Sequence, residues 1–238
     1  MKTRAPADSV IKQALRIVVD IIFPGDRDRS GLGSGLRLLF WLALCAYSYP
    51  FLAHPLQNLG FESSFLHLVN LVFHEAGHAI FMLFTKNKLA VAAAGSFMQC
   101  LVPLVLAAVF YGKNRDAFAA GLCMWWFGQN LVDCAPYIGD ARYLQLTLLG
   151  GRTGRDVEGH DWEYILTALN MLNKDILMAK RALLWGRLVM LASLAWALAA
   201  ILADWLGARK KAGRSAADRA RAGMRAGAAG GKDEHEVQ

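Results

Sequence analysis

Residues 74–78, with the sequence His-Glu-Ala-Gly-His, are the group in this chain whose types and spacing could carry out chemistry. On a helix, His74 and His78 are four residues apart, so both imidazoles leave the same face and can bind one divalent metal ion. Glu75 is next to them, where its carboxylate can take a proton from a metal-bound water. The motif therefore predicts a metal-dependent hydrolytic site.

His67 and Asn70 continue the same polar stripe toward the beginning of the helix. Each polar group in hydrocarbon costs free energy, so we expect this stripe to face the protein interior or a wet cavity. The alternative is a chance match whose histidines are satisfied by core contacts. The apolar segment around the motif disfavours that alternative, because polar residues without a role are costly there.

The composition places these residues in a membrane protein. Of the 238 residues, 55% are hydrophobic, and they are clustered in long runs. This pattern predicts an all-α, polytopic integral membrane protein that has the lipid bilayer as its partner. The net charge of +7 favours contact with anionic headgroups. We expect no nucleic-acid partner, because no basic motif with interleaved aromatic residues is present.

Four to five transmembrane helices are predicted within a membrane domain at residues 36–206, because each run has the roughly 20 residues that a bilayer requires. They are expected at residues 36–56, 63–85, 89–111, 117–139 and 182–206. The four cysteines all fall in these spans, where they are interpreted as small apolar residues and not as disulfide partners.

Two further segments are predicted to be amphipathic helices at the membrane interface. One covers residues 8–23 in an N-terminal segment (1–35), and the other covers residues 162–176. The basic tail at residues 207–238 is rich in Ala, Gly and Arg and is predicted to be disordered.

The distribution of Lys and Arg predicts a cytoplasmic N-terminus, in the inner or plasma membrane of a bacterium. Seven of these residues precede or open the first span, and the loop at 57–62 has none. The span that carries the motif at 74–78 would then run from the outside to the cytoplasm. Residues 86–88 and 140–181 would lie on the cytoplasmic side. Five alternating spans would place the basic tail outside, which contradicts the same rule. Either the tail is an exception or one span is re-entrant.

A catalytic zinc site usually has three protein ligands, so the two histidines need a partner. On a regular helix, Asn130, Asp133 and Asp140 of the fourth span share one face, and Pro136 is expected to bend or open that helix. By depth, Asp133 is closer to the level of the histidines. The alternatives are a buried structural role for Asp133 and a loop ion pair with Arg142 for Asp140.

The motif at 74–78, followed two spans later by Asn130, Pro136 and Asp140, resembles the site-2-protease family of intramembrane zinc metalloproteases. The resemblance covers roughly residues 63–141. It implies a three-span core, zinc held by the two motif histidines and Asp140, and Glu75 as the general base. It also implies that Asn130 helps to hold the substrate or the transition state, and that the substrate is a transmembrane protein.

His160 and Asp161 precede the second amphipathic segment. The preferred interpretation is a loop histidine and an aspartate that caps the following helix. The alternative is that these two residues cover the metal site or donate to it.

Two other functions remain open from the sequence. A different membrane metalloenzyme, such as a di-iron hydroxylase, needs more histidines in several motifs than the six of this chain. A non-proteolytic zinc protein, acting as a scaffold or chaperone of the same fold, is the second. Glu75 argues against it, since a structural zinc site has no use for a base beside its ligands.

Overall fold

The computed structural model describes residues 7–24, 31–59, 64–148, 151–156 and 158–230, and within these ranges the fold is all-helical, as predicted. The α-helices are α1 (Ala7–Ile22), α2 (Gly31–Ala53), α3 (Phe65–Phe84), α4 (Lys88–Gly112), α5 (Ala117–Gly139), α6 (Asp161–Ala168) and α7 (Asp175–Gly230).

Four of the described helices, α2, α3, α4 and α7, are long and apolar enough to cross a membrane. The fifth long helix, α5, has 23 residues, but Gln129, Asn130 and Asp133 near its centre reduce its hydropathy. Its sides are covered by α4 and α7. The helix that was expected as the fourth span is thus enclosed by its neighbours.

Helices α5 and α7 pack closely against each other at Gly128 and Gly186. A Cβ atom on Gly128 would come within 2.8 Å of the Gly186 carbonyl oxygen, and one on Gly186 within 2.6 Å of the Gly128 carbonyl oxygen. Gly121 lies against Ala197 further along the pair. Residue numbers rise on α5 as they fall on α7, so the two helices are antiparallel.

One end of the bundle is marked by Arg37, near the beginning of α2. Its guanidinium group contacts Asp116 at 2.6 Å and Asp204 at 3.5 Å. Asp116 caps the beginning of α5, and Asp204 lies far along α7. The indole N–H of Trp196 donates to the Ile22 carbonyl oxygen at 3.0 Å, which attaches α1 near this end. We refer to it as the Arg37 end.

The opposite end carries α6 and is called here the Asp161 end. Helix α5 ends there and α7 begins there, and Arg142 donates to Asp175 at 2.7 Å between them. Helix α2 also ends there, because Arg187 donates to the Phe51 carbonyl oxygen at 2.9 Å and Leu56 packs against the end of α5. Thus α2 and α5 run toward the Asp161 end, and α7 runs away from it.

Helix α3 runs in the same direction as α2, which differs from the expected alternation of spans. It begins beside Tyr47, whose hydroxyl lies 3.0 Å from Ser64 Oγ, and Tyr47 is still within α2. His67 then lies beside Asp133 of α5, and His74 beside Tyr137. Helix α4 ends at the Arg37 end, next to Asp116, and therefore begins at the Asp161 end, where α6 contacts it. Helix α3 also ends at the Asp161 end, because only residues 85–87 separate it from α4.

Two expectations for the C-terminal third are wrong within the described residues. Residues 207–230 continue α7 as a helix, while 231–238 lie outside the described part. Ala and Arg are strong helix formers, and extending a formed helix needs no new nucleus. The segment at 162–176 is also divided: α6 ends at Ala168, and Asn170 adopts a positive φ of 54° that stops it.

Candidate metal site

The two motif histidines are oriented by hydrogen bonds at their Nδ1 atoms. His78 Nδ1 lies 2.8 Å from the Val91 carbonyl oxygen, which can only accept, so this nitrogen carries the proton. His74 Nδ1 donates to Gln99 Oε1 at 2.8 Å, and the Gln99 amide nitrogen donates to Cys134 Sγ at 3.0 Å. Both neutral imidazoles therefore present the lone pair of Nε2.

The two Nε2 atoms converge on one carboxylate oxygen, which belongs to Asp161. Asp161 Oδ2 lies 3.0 Å from His74 Nε2 and 3.1 Å from His78 Nε2. One ligand atom from each residue lies within 4.8 Å of the others, and a metal ion could be held there. Burial raises the pKa of the Asp161 carboxyl group, but its contacts with His74 and His78 outweigh burial, so this pKa is below its ordinary value.

This donor set fits a zinc ion. Two imidazole nitrogens and one carboxylate oxygen are the protein ligands that catalytic zinc sites use, with another position left for water. Both Nδ1 protons form hydrogen bonds elsewhere. The lone pairs of the two Nε2 atoms and of Asp161 Oδ2 therefore face one another, unless the imidazoles take a second proton. A cation at their centre removes that repulsion, and the Nδ1 partners are the outer hydrogen bonds that zinc-bound histidines usually make.

The chain between α5 and α6 is held so that Asp161 reaches the histidines. The two carboxylate oxygens of Asp140 each accept a backbone N–H at 2.9 Å, from Gln145 and Leu146. At the other end of the loop, the Asp161 backbone N–H donates to the Tyr137 hydroxyl at 2.9 Å. Asp161 is the first residue of α6, which Trp162 attaches to α4 through Ser96 Oγ at 3.1 Å.

The expected roles of His160 and Asp161 are therefore exchanged in the structure. His160 caps α6, because its Nδ1 accepts the Glu163 backbone N–H at 3.1 Å. Burial lowers the pKa of His160, which keeps this ring neutral and able to accept. Asp161 was preferred as the cap, but its carboxylate contacts His74 and His78, as in the alternative interpretation.

Small residues on α4 leave the room that the histidines occupy. A Cβ atom on Gly95 would lie 2.4 Å from His74 Nε2 and 2.6 Å from His78 Nε2. Gly77, between the two histidines, allows α3 to approach α4 just as closely, since its Cβ would lie 2.3 Å from the Ala94 carbonyl oxygen. No side chain larger than hydrogen is compatible with this arrangement at either position.

A cavity of about 730 Å³ lies in front of these residues. Glu75 is exposed on its wall, next to the histidines. The loop between α5 and α6 contributes Leu146, Leu148 and Glu158 to the lining, and α3 contributes Leu68 and Met82. A space of this volume, largely apolar with a few converging polar groups, is typical of a binding site.

His67, Asn70 and Asp133 form a second polar group deeper along the same face of α3. His67 Nδ1 lies 3.1 and 3.2 Å from the two Asp133 oxygens, and the Asn70 amide donates to Asp133 at 3.0 Å. The Asn70 amide nitrogen also donates to Gln129 Oε1 at 2.9 Å, and the Trp126 indole N–H donates to Asn70 Oδ1 at 2.8 Å. His67 and Asp133 also line the cavity, but they do not join the motif histidines.

The remaining predicted site residues lie elsewhere. Asp140, the third ligand implied by the family resemblance, has both oxygens engaged by backbone N–H groups and holds the loop instead. Asn130 is fully buried within α5 and donates to the Trp126 carbonyl oxygen of its own helix at 3.0 Å. It is not among the residues that line the cavity.

Gln99, Gly95 and Tyr137 support the site and were not assigned to it from the sequence. The signal that could have indicated Gln99 is its amide group, which lies in an apolar helix and needs a hydrogen-bond partner there. Gly95 lies in the same apolar helix. Comparisons with protein-family models, with curated proteins and with solved structures gave no significant match.

Proposed function

We propose that this protein is a zinc-dependent endopeptidase embedded in a membrane, with a membrane protein as its substrate. The observation that carries the proposal is the convergence of His74 Nε2, His78 Nε2 and Asp161 Oδ2, with Glu75 on the adjoining cavity wall. Apolar helices surround this group. A hydrolytic site placed among them needs water and ligands held by the protein, and the cavity supplies that space.

His74, His78 and Asp161 would hold the zinc ion. Bound zinc polarises a scissile carbonyl group and lowers the pKa of a bound water toward neutrality. Glu75 accepts the proton of the attacking water and delivers it to the leaving amine. Gln99 and the Val91 carbonyl keep both imidazoles in the tautomer that presents Nε2.

The rest of the cavity suits an apolar peptide segment. Its lining includes Leu68 and Met82 of α3 and Leu146 and Leu148 of the loop. A peptide must be extended for its carbonyl group to be reached, and extended chains have unsatisfied backbone groups in hydrocarbon. The backbone of the loop and the polar residues of the cavity could accept and donate hydrogen bonds to such a segment.

The test is a comparison of purified wild-type protein with Glu75→Gln. Wild-type protein should contain about one zinc ion per chain, and it should cleave members of a transmembrane-peptide library reconstituted with it in liposomes. Glu75→Gln keeps the side-chain size but has no base, so it should retain zinc and lose cleavage. Wild-type protein without zinc, or equal cleavage by the variant, would contradict the proposal.

A further inference from the structure

Both ends of the described chain lie on one side of the helix bundle. Helix α1 is attached near the Arg37 end through Trp196, and α7 passes Asp204 at that end before it continues to Gly230. The 24 residues after Leu206 prolong this helix away from the bundle. The two termini are therefore close to the same face of the membrane that the bundle would cross.

This arrangement arises because α3 does not begin at the end where α2 stops. Leu56 packs at the Asp161 end, whereas Ser64 is beside Tyr47, six residues before the last residue of α2. Six helical residues correspond to about 9 Å along the axis. The chain thus returns part of the way into the bundle before α3 starts, and α3 leads again to the Asp161 end. Helices α2, α4, α5 and α7 each connect the Arg37 end with the Asp161 end, and their number is even.

The basic residues favour one orientation of this bundle. Seven Lys and Arg are found in residues 1–37, two in 113–115 and eight from residue 209 onward, all in segments that begin or end at the Arg37 end. The segments of the other end have none in 54–64, two in 86–88 and six in 140–181. The side richer in Lys and Arg is the cytoplasmic side.

We infer that both termini are cytoplasmic and that the cavity at His74, His78 and Asp161 opens on the opposite, extracytoplasmic side. This inference rests on the proposed function only for the premise that the helix bundle lies in a membrane. The site would then take peptide bonds at the extracytoplasmic ends of membrane helices, or in segments that follow them. This orientation also explains the basic tail, which five alternating spans would place outside.

The structure supports access from that side because the cavity wall includes the loop between α5 and α6. Leu148 and Glu158 line the cavity, and this loop lies beyond the end of α5. His67 lies seven residues before His74, about 10.5 Å deeper along α3. The metal ligands are thus at the outer part of the cavity, where water and substrate from the extracytoplasmic side can reach them.

Single cysteines introduced into the full-length protein test the orientation. Arg152→Cys is at the Asp161 end, whereas Asn114→Cys and Ser215→Cys lie at or beyond the Arg37 end, and all three positions are exposed. Spheroplasts are treated with a membrane-impermeant maleimide before and after lysis, with the unmodified chain and its four native cysteines as the background control. Arg152→Cys should be labelled before lysis, and the other two only after it.

Five alternating spans with a cytoplasmic N-terminus predict the reverse at all three positions, and that result would overturn the inference. Labelling of Arg152→Cys and Ser215→Cys from the same side would also overturn it. A C-terminal fluorescent-protein fusion, which fluoresces only if it is cytoplasmic, gives a second measurement without any substitution. Zinc content is measured separately: the expected labelling on a protein without zinc would refute the proposed function but not the orientation.

Discussion

Two polar groups lie on the same face of α3, one around His67 and one around His74, seven residues apart. They differ in whether their hydrogen-bonding atoms pair with one another. In the deeper group, His67 and Asn70 both bond to the Asp133 carboxylate, so the imidazole and the carboxylate are paired with each other. In the outer group, the protons of His74 and His78 point away from the centre, and lone pairs point toward it. The same residue types therefore form a closed network in one place and an open ligand set in the other.

The comparison shows that residue type and burial alone do not identify a metal site. Both groups contain a histidine and an aspartate, and both line the cavity. What separates them is the partner of Nδ1: a carboxylate for His67, but a carbonyl oxygen for His78. The following predictions test this separation, beginning with the largest expected effect.

Removal of a motif histidine should have the largest effect. His74→Ala and His78→Ala each delete one of three ligands, so zinc should be lost from the purified protein. His67→Ala is the matched control, since it removes an imidazole from the same face of α3 without touching the ligand set. Elemental analysis of the three variants decides the point. Loss of zinc from His67→Ala equal to that from His74→Ala would show that the two groups act as one site.

The third ligand should be revealed by three isosteric substitutions. Asp161→Asn removes the charge between the histidines and should reduce zinc affinity by more than the ~10 to 100-fold typical of an outer partner. Asp133→Asn should retain zinc and mainly affect the network with His67. Asp140→Asn should weaken the support of the loop and lower zinc affinity less than Asp161→Asn. Competition with a chelator measures all three. A larger loss in Asp140→Asn would return the third ligand to the residue implied by the family resemblance.

A methyl group at Gly95 should displace the histidines by contact alone. In Gly95→Ala the new Cβ would overlap both Nε2 atoms, so zinc content should fall strongly. Gly112→Ala, on the same helix, meets no atom within 4 Å and is the control. Gly→Ala raises helix propensity by roughly 1 kcal/mol in both variants, so a loss of zinc confined to Gly95→Ala reflects the contact of the new Cβ with the histidines. Equal zinc content in both variants would mean that the Nε2 atoms do not lie at Gly95.

The smallest effect is expected from Gln99, which acts on zinc through His74. Gln99→Leu removes the acceptor that holds the Nδ1 proton, and affinity should fall by about 10 to 100-fold. Gln129→Leu is the matched control, because Gln129 is an equally buried amide that belongs to the deeper network. Zinc titration should separate the two variants. If both lower affinity alike, the deeper network also orients the ligands.

The sequence by itself determined the long helices and the placement of His74 and His78 on one face of α3. Apolar runs of about 20 residues predicted the long helices to within a few residues at most boundaries, because only a helix satisfies its own backbone within such a run. The spacing of His74 and His78 predicted that both imidazoles leave one face, since four residues are close to a full turn. These properties depend on neighbours in the chain.

Only the tertiary structure decided which carboxylate lies between His74 and His78, and in which direction α3 runs. Asp161 is 83 residues from His78 and reaches it because Asp140, Tyr137 and Trp162 hold the intervening chain. From the sequence, depth favoured Asp133 and the family resemblance favoured Asp140. In the structure, Asp133 is engaged by His67 and Asn70, and Asp140 accepts the backbone N–H groups of the loop that follows it. The direction of α3 was predicted from the assumption that each apolar run crosses completely. Helix α3 actually starts beside Tyr47, and this depends on packing between helices, about which a hydropathy profile carries no information.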